Sequence, residues 1–180
     1  MTPDMNAMGT QENVPPSSIG GFGVALVIIT AIIGWAAIGG HFLSEASLFA
    51  GFMILWYWAK VERLAMRRLP ASIIGALAGI GIAWTMFYGA SRYGGAGLAA
   101  GLLMLAIAIY MDVIQKIPIF INAATMLFSI VVAAPLVQLK VNWIELCFAT
   151  AGGGMYFGGY VAVAAWLASK LPLPATKPTD

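Results

Sequence analysis

The chain is poor in the residues that carry most enzymatic and metal chemistry. Its one cysteine, Cys147, excludes an intrachain disulfide and any cysteine-based zinc or iron–sulfur site. Its one histidine, His41, excludes paired-histidine haem ligation and the two-histidine zinc motif of metalloproteases within one chain. Charge is scarce as well: 9% of the 180 residues are Asp, Glu, Lys or Arg, against roughly 25% in a soluble domain. A water-facing surface cannot be built from so little charge. Nine basic and seven acidic residues, net +2, leave no basic stripe for nucleic acid. No nucleophile–base pair, metal cluster or phosphate loop is legible, so neither an enzyme nor a cofactor or metal is expected.

What is present is apolar. Hydrophobic residues make up 61% of the chain and the mean hydropathy is +0.91. A membrane span needs about 20 apolar residues to cross about 30 Å of hydrocarbon. Six runs approach that length: Gly21 to Gly39, Ala46 to Ala59, Ala71 to Ala90, Ala96 to Met111, Ile119 to Val137 and Trp143 to Ser169. They predict an all-α integral membrane protein of six transmembrane helices over residues 19–170. A disordered tail is expected over residues 1–18, and a Pro-rich tail over residues 171–180. No Lys or Arg precedes the first run, which also exceeds the 7–15 residues of a signal-peptide core, so it reads as a span. Continuous apolar runs argue against a β-barrel, whose strands alternate.

Cytoplasmic loops retain positive charge. With both termini inside, Lys60, Arg63, Arg67, Arg68, Lys116, Lys170 and Lys177 lie inside and only Arg92 and Lys140 outside. Trp56, Tyr57 and Trp58 precede Lys60 as an inner aromatic belt should, and Trp143 and Tyr93 suit the outer one. The expected location is a membrane crossed several times.

Small residues recur every fourth position at Ala71, Gly75, Gly79 and Ala83, at Gly97 and Gly101, and at Thr150, Gly154, Gly158 and Ala162. Positions four apart share a helix face, and without side chains there another helix can approach closely. The run Gly152, Gly153, Gly154 admits two readings. Three glycines are poor helix formers inside a stretch of about 40 Å, so the last helix tilts or breaks there and narrows a pathway. The alternative is a continuous helix packed tightly through its glycines.

Polar groups at membrane depth are costly and point to function. Asn122, Thr125 and Ser129 are spaced three and four apart, on one face of the fifth span. Their uncharged donors and acceptors suit a neutral hydrogen-bonding solute, or bonds between helices. Trp35, Trp84 and Tyr156 lie deep enough to line a pore. His41, Glu45 and Glu145 fall at the outer mouth, where an imidazole beside a carboxylate would respond to pH. Asp112 and Lys116, four apart, close the fourth span at its inner end.

The stretch Ile32-Ile33-Gly34-Trp35-Ala36-Ala37, followed by Phe42-Leu43-Ser44 and later by Gly158-Gly159-Tyr160, resembles a bacterial family of short six-helix inner-membrane proteins over most of residues 20–168. That family has no established substrate or catalytic residues, so the resemblance implies fold and location alone. The segment Gln115 to Asn122, with Pro118 inside it, looks like the proline-led entry to the pore in one repeat of the urea transporters, without their paired Asn-Pro motif. This second resemblance implies a small neutral solute.

The expected function is a channel or facilitator for a small, neutral or weakly charged polar solute, working as a homo-oligomer in the lipid bilayer. Asn122, Thr125 and Ser129 would line its path, together with Trp35 and Gly152, Gly153 and Gly154, while Gly75, Gly79, Gly97, Gly101 and Gly158 would pack its helices. An ion-coupled transporter of two or more subunits, using Glu45, Glu145 or Asp112, is the first alternative. A membrane scaffold subunit is the second.

Overall fold

A computed structural model describes residues 18–134 and 141–170, with side chains from residue 26 onward. These residues are helical, without strands, and form α1 (Ser18–Phe42), α2 (Glu45–Lys60), α3 (Leu69–Val113), α4 (Ala123–Val132) and α5 (Trp143–Lys170). A 3-10 turn, Met66–Arg68, leads into α3. Two of the helices, α3 with that turn and α5, are long and apolar enough to cross a membrane. Residues 1–17 of the N-terminal tail, the C-terminal tail over 171–180 and the turn at Gln138, Leu139 and Lys140 lie outside the described residues.

The third and fourth apolar runs belong to one element. α3 keeps helical geometry throughout except at Gly94, where φ is 59° and ψ is −135°, a conformation that glycine adopts without a Cβ clash. The turn expected over residues 91–95 is therefore confined to one residue. The chain reverses there, and residues 95–113 run back along residues 69–93. A Cβ on Gly89 would sit 2.8 Å from the carbonyl oxygen of Gly97, and one on Gly101 2.6 Å from Cγ of Met86. Further along, the Thr85 hydroxyl lies 3.5 Å from Sδ of Met104. At 1.5 Å per residue the arms measure about 37 and 28 Å.

α5 runs unbroken through Ala151, Gly152, Gly153 and Gly154, so of the two readings open for this segment the continuous helix holds and the break does not. The glycines serve close approach instead. A Cβ on Gly153 would lie 2.5 Å from Cα of Gly51, and one on Gly154 2.6 Å from Cδ1 of Ile73. At Gly158 it would run into the Leu69 side chain. α2 thus reaches α5 almost backbone to backbone, while α3 seats the Ile73 and Leu69 side chains on the other two glycines, and the dispersion gained there offsets the poor helix propensity. Gly75 and Gly79 do the same for α4: a Cβ on Gly79 would stand 2.9 Å from the Ser129 nitrogen and 3.0 Å from Cβ of Phe128.

The fifth run is only partly helical, because residues 117–122 form turns and α4 starts after Asn122. Pro118 lacks the N–H that a helix interior requires. The core is filled by Ile54, Ile80, Phe128, Leu146 and Phe157, all essentially inaccessible. By contrast Ile33, Phe49, Leu103, Ile130 and Phe148, one or more from every helix, are each more than half exposed. Soluble monomers seldom leave so much contiguous apolar surface open.

These contacts predict the behaviour of single glycines. Gly153→Ala should lower stability by about 1–3 kcal/mol through overpacking. Gly159→Ala, whose Cβ meets nothing within 4 Å, should leave it unchanged. Thermal unfolding in detergent reads both, and equal midpoints would mean that α2 and α5 do not meet at Gly153.

Candidate functional site: a polar cavity at the basic end

The hairpin of α3 carries Asp112 back to the end of the molecule where α2 finishes and α3 begins. There Tyr57, Val61 and Glu62, Arg68 and Ala71, Asp112 and Gln115, and Pro118 and Asn122 wall a cavity of about 260 Å³. Each group comes from a separate stretch of chain. This is the basic end of the molecule, carrying Lys60, Arg63, Arg67 and Arg68.

Two bonded groups build the wall. The Tyr57 ring is buried, and its hydroxyl donates to Oε1 of Glu62 at 3.1 Å. The other oxygen, Oε2, lies 3.9 Å from Nε of Arg68, whose side chain is 64% exposed. At that exposure the ion pair contributes at most about 1 kcal/mol, so its value is to orient Glu62. Below it, Trp58 donates through Nε1 to the Ala65 carbonyl at 3.0 Å, anchoring the connecting turn. Arg63 and Leu64 take positive φ in that turn, at 51° and 58°.

Asn122 forms the second group. Its Oδ1 accepts from the Ala124 nitrogen at 3.0 Å, and its Nδ2 donates to the carbonyls of Ala71 at 2.9 Å and Pro118 at 3.1 Å. The Thr125 hydroxyl accepts from the Asn122 nitrogen and donates to the Phe120 carbonyl, at 3.1 and 3.0 Å. Asn122 and Thr125 thus form a reciprocal cap on α4. Gly75 makes room, since a Cβ there would stand 2.6 Å from Nδ2.

The residues expected to form a pathway are divided by the fold. Asn122 alone lines the cavity. Thr125 and Ser129 are buried behind it against α3, with the Ser129 hydroxyl donating to the Met126 carbonyl at 3.0 Å. Trp35 sits across the molecule, 5% exposed, filling the notch at Gly51 and donating to the Leu48 carbonyl at 3.2 Å. It packs on Tyr156 and Phe157, with Gly152 beside it. Trp84 is instead outward-facing and stacked on Tyr88.

The pairs expected between titratable groups do not form among the described residues. α3 ends at Val113, so Lys116 leaves the helix and makes no ion pair with Asp112. At the opposite end Glu145 accepts from the Ser44 nitrogen, tying the start of α5 to the start of α2. His41 stands exposed with its ring edge-on to Phe42, and Glu45 is exposed, so no imidazole–carboxylate pair is made there. The composition of the cavity escaped sequence reading because Tyr57, Glu62 and Arg68 look like an interfacial belt and a charged turn. The one available signal was Asp112, a lone carboxylate closing an apolar run. No protein-family model, curated protein or solved structure matches this chain.

The bonding pattern separates structural from exposed polar groups. Asn122→Ala should cost about 0.5–2 kcal/mol by removing the cap, and more through the Ala71 carbonyl left without its donor. Asp112→Asn should leave the unfolding midpoint in place. A larger loss from Asp112→Asn than from Asn122→Ala would reverse these roles.

Proposed function

We propose that this chain is a multi-pass protein of a bacterial inner membrane that passes a small polar solute, with the cavity at its basic end as the cytoplasmic vestibule. The observation that carries the reading is that cavity: a cluster of Tyr57, Glu62, Arg68, Asp112 and Asn122 in a helical body whose remaining surface is largely apolar. Polar groups collected in such a setting are retained for what they bind or conduct. The exposed side chains on every helix and the lengths of α3 and α5 support the membrane location. Both termini lie in the cytoplasm on this reading, because the basic end is then the inner one.

The wall favours one class of solute. Its carboxylates, Glu62 and Asp112, outnumber its one cation, Arg68, so the wall itself offers an anion no net attraction. Tyr57 and Asn122 offer neutral hydrogen bonding. The solute is therefore neutral or weakly basic and small enough for about 260 Å³. Glycines such as Gly81 and Gly159, with open space where a Cβ would stand, let a second copy approach and support a homo-oligomer. The resemblance to a urea-transporter repeat points to the same solute class, and that to the six-helix inner-membrane family to the same location.

An ion-coupled mechanism is the second reading, favoured by the Asp112 carboxylate, which has no ionic partner among the described residues. Stopped-flow light scattering on proteoliposomes distinguishes the two. Urea, acetamide, glycerol, methylammonium and formate are tested, first without and then with an imposed proton or sodium gradient. Passive flux is expected for a neutral or basic solute and not for formate, with Tyr57→Phe slowing it severalfold. Flux that requires the gradient and is lost in Asp112→Asn would establish coupling. Rates equal to empty liposomes under both conditions would reject a solute pathway.

A further inference from the structure

A second cavity lies on the other side of α2. Between α1, α2 and α5 runs a groove of about 370 Å³, within the roughly 300–1,000 Å³ of small-molecule sites. Its walls are Val27, Ile28 and Ile32 of α1, Phe52 and Leu55 of α2, and Val161 of α5, and they carry almost no polar surface. One end is closed by Phe157, whose ring packs on Trp35. At the other stands Lys60, the last residue of α2.

α2 lines the groove from Phe52 to its last residue, Lys60. α5 continues to Lys170 and α1 begins at Ser18, each roughly 14 Å beyond the groove at 1.5 Å per residue. Two long helices therefore continue past the end that Lys60 marks. Lys60 is exposed and makes no ion pair among the described residues. Its methylene stem completes the apolar wall and its ammonium is free to reach the polar boundary, as long basic side chains do at a membrane interface. Arg63, also exposed, follows on the same turn, and Leu64 belongs to the wall. An apolar groove of this volume, ending on uncompensated positive charge, is complementary to a lipid whose headgroup is negative.

We propose that this groove binds an anionic phospholipid, with one acyl chain along α1 and α2 and the phosphate held by Lys60. The inference rests on the membrane location and not on the solute pathway, because the groove and the polar cavity lie on opposite sides of α2. A single phosphate contact at a boundary of low dielectric favours a negative headgroup over a zwitterionic one, while the acyl chain supplies affinity to both.

The test is native mass spectrometry of the full chain in detergent, titrated with phosphatidylglycerol and phosphatidylcholine of identical acyl chains. Wild-type protein should retain phosphatidylglycerol severalfold more than phosphatidylcholine. Lys60→Gln should bring the two lipids level, and Ile28→Trp, which fills the groove from a position 44% exposed, should reduce both. Ala59→Phe serves as a second filling variant should Ile28→Trp lose its helical circular dichroism. Equal retention of the two lipids by wild type, or unchanged phosphatidylglycerol retention in Lys60→Gln and both filling variants, would overturn the proposal. A wild-type dimer that the filling variants split, with lipid retention unmoved, would also overturn it and assign the groove to a second copy. Retained phosphatidylglycerol in a protein that conducts no solute would uphold the lipid site and count only against the vestibule.

Discussion

Gly51 and Gly153 meet with no side chain between them, and the arrangement of α1, α2 and α5 follows from that contact. In water the hydrophobic effect would drive these helices together whatever their surface detail. Between apolar surfaces in lipid, the location proposed for this chain, that drive is absent, and association depends on how closely the backbones pack. A glycine on each partner gives the shortest approach. The notch it leaves beside α2 is filled by Trp35, whose indole nitrogen then reaches the Leu48 carbonyl. One small-residue contact thus sets the α2–α5 spacing and seats α1 through its tryptophan.

α3 and α4 apply the same rule with a polar addition. Gly75 and Gly79 admit α4 to the face of α3, and Asn122 uses the space to bond both its own helix and the Ala71 carbonyl. Such a bond is stronger the less water reaches it. Asn122 is therefore a structural and a site residue together: it fixes the start of α4 and forms the floor of the cavity. Tyr57 is comparable on the facing wall, buried in its ring and polar at its tip.

Local patterns in the sequence carried much of this. Glycines four apart on one helix face have to meet something, and Gly75, Gly79, Gly101 and Gly158 each face another segment of the chain. The shared face of Asn122, Thr125 and Ser129 was likewise readable, although spacing alone could not separate a lined path from a helix cap. The continuity of α5 was not readable, because propensity disfavours three glycines while the packing that overrides it comes from residues about a hundred positions away. The cavity was hidden for a related reason. Its wall draws on the end of α2, both ends of α3 and the approach to α4, and only the reversal at Gly94 brings them together.

That reversal leaves its mark on the far end of the molecule. Since one residue carries it, with helical geometry resuming on both sides, the two arms of α3 are joined without a loop. The side chains around it, Tyr93 among them, are exposed, but an inserted epitope would have to unwind a turn of helix to be accommodated. The two arms also have almost no slack between them, so neither can shift far along the other without straining that one residue. The connection through residues 114–122 is the natural place to attach a probe, being built of turns rather than helix.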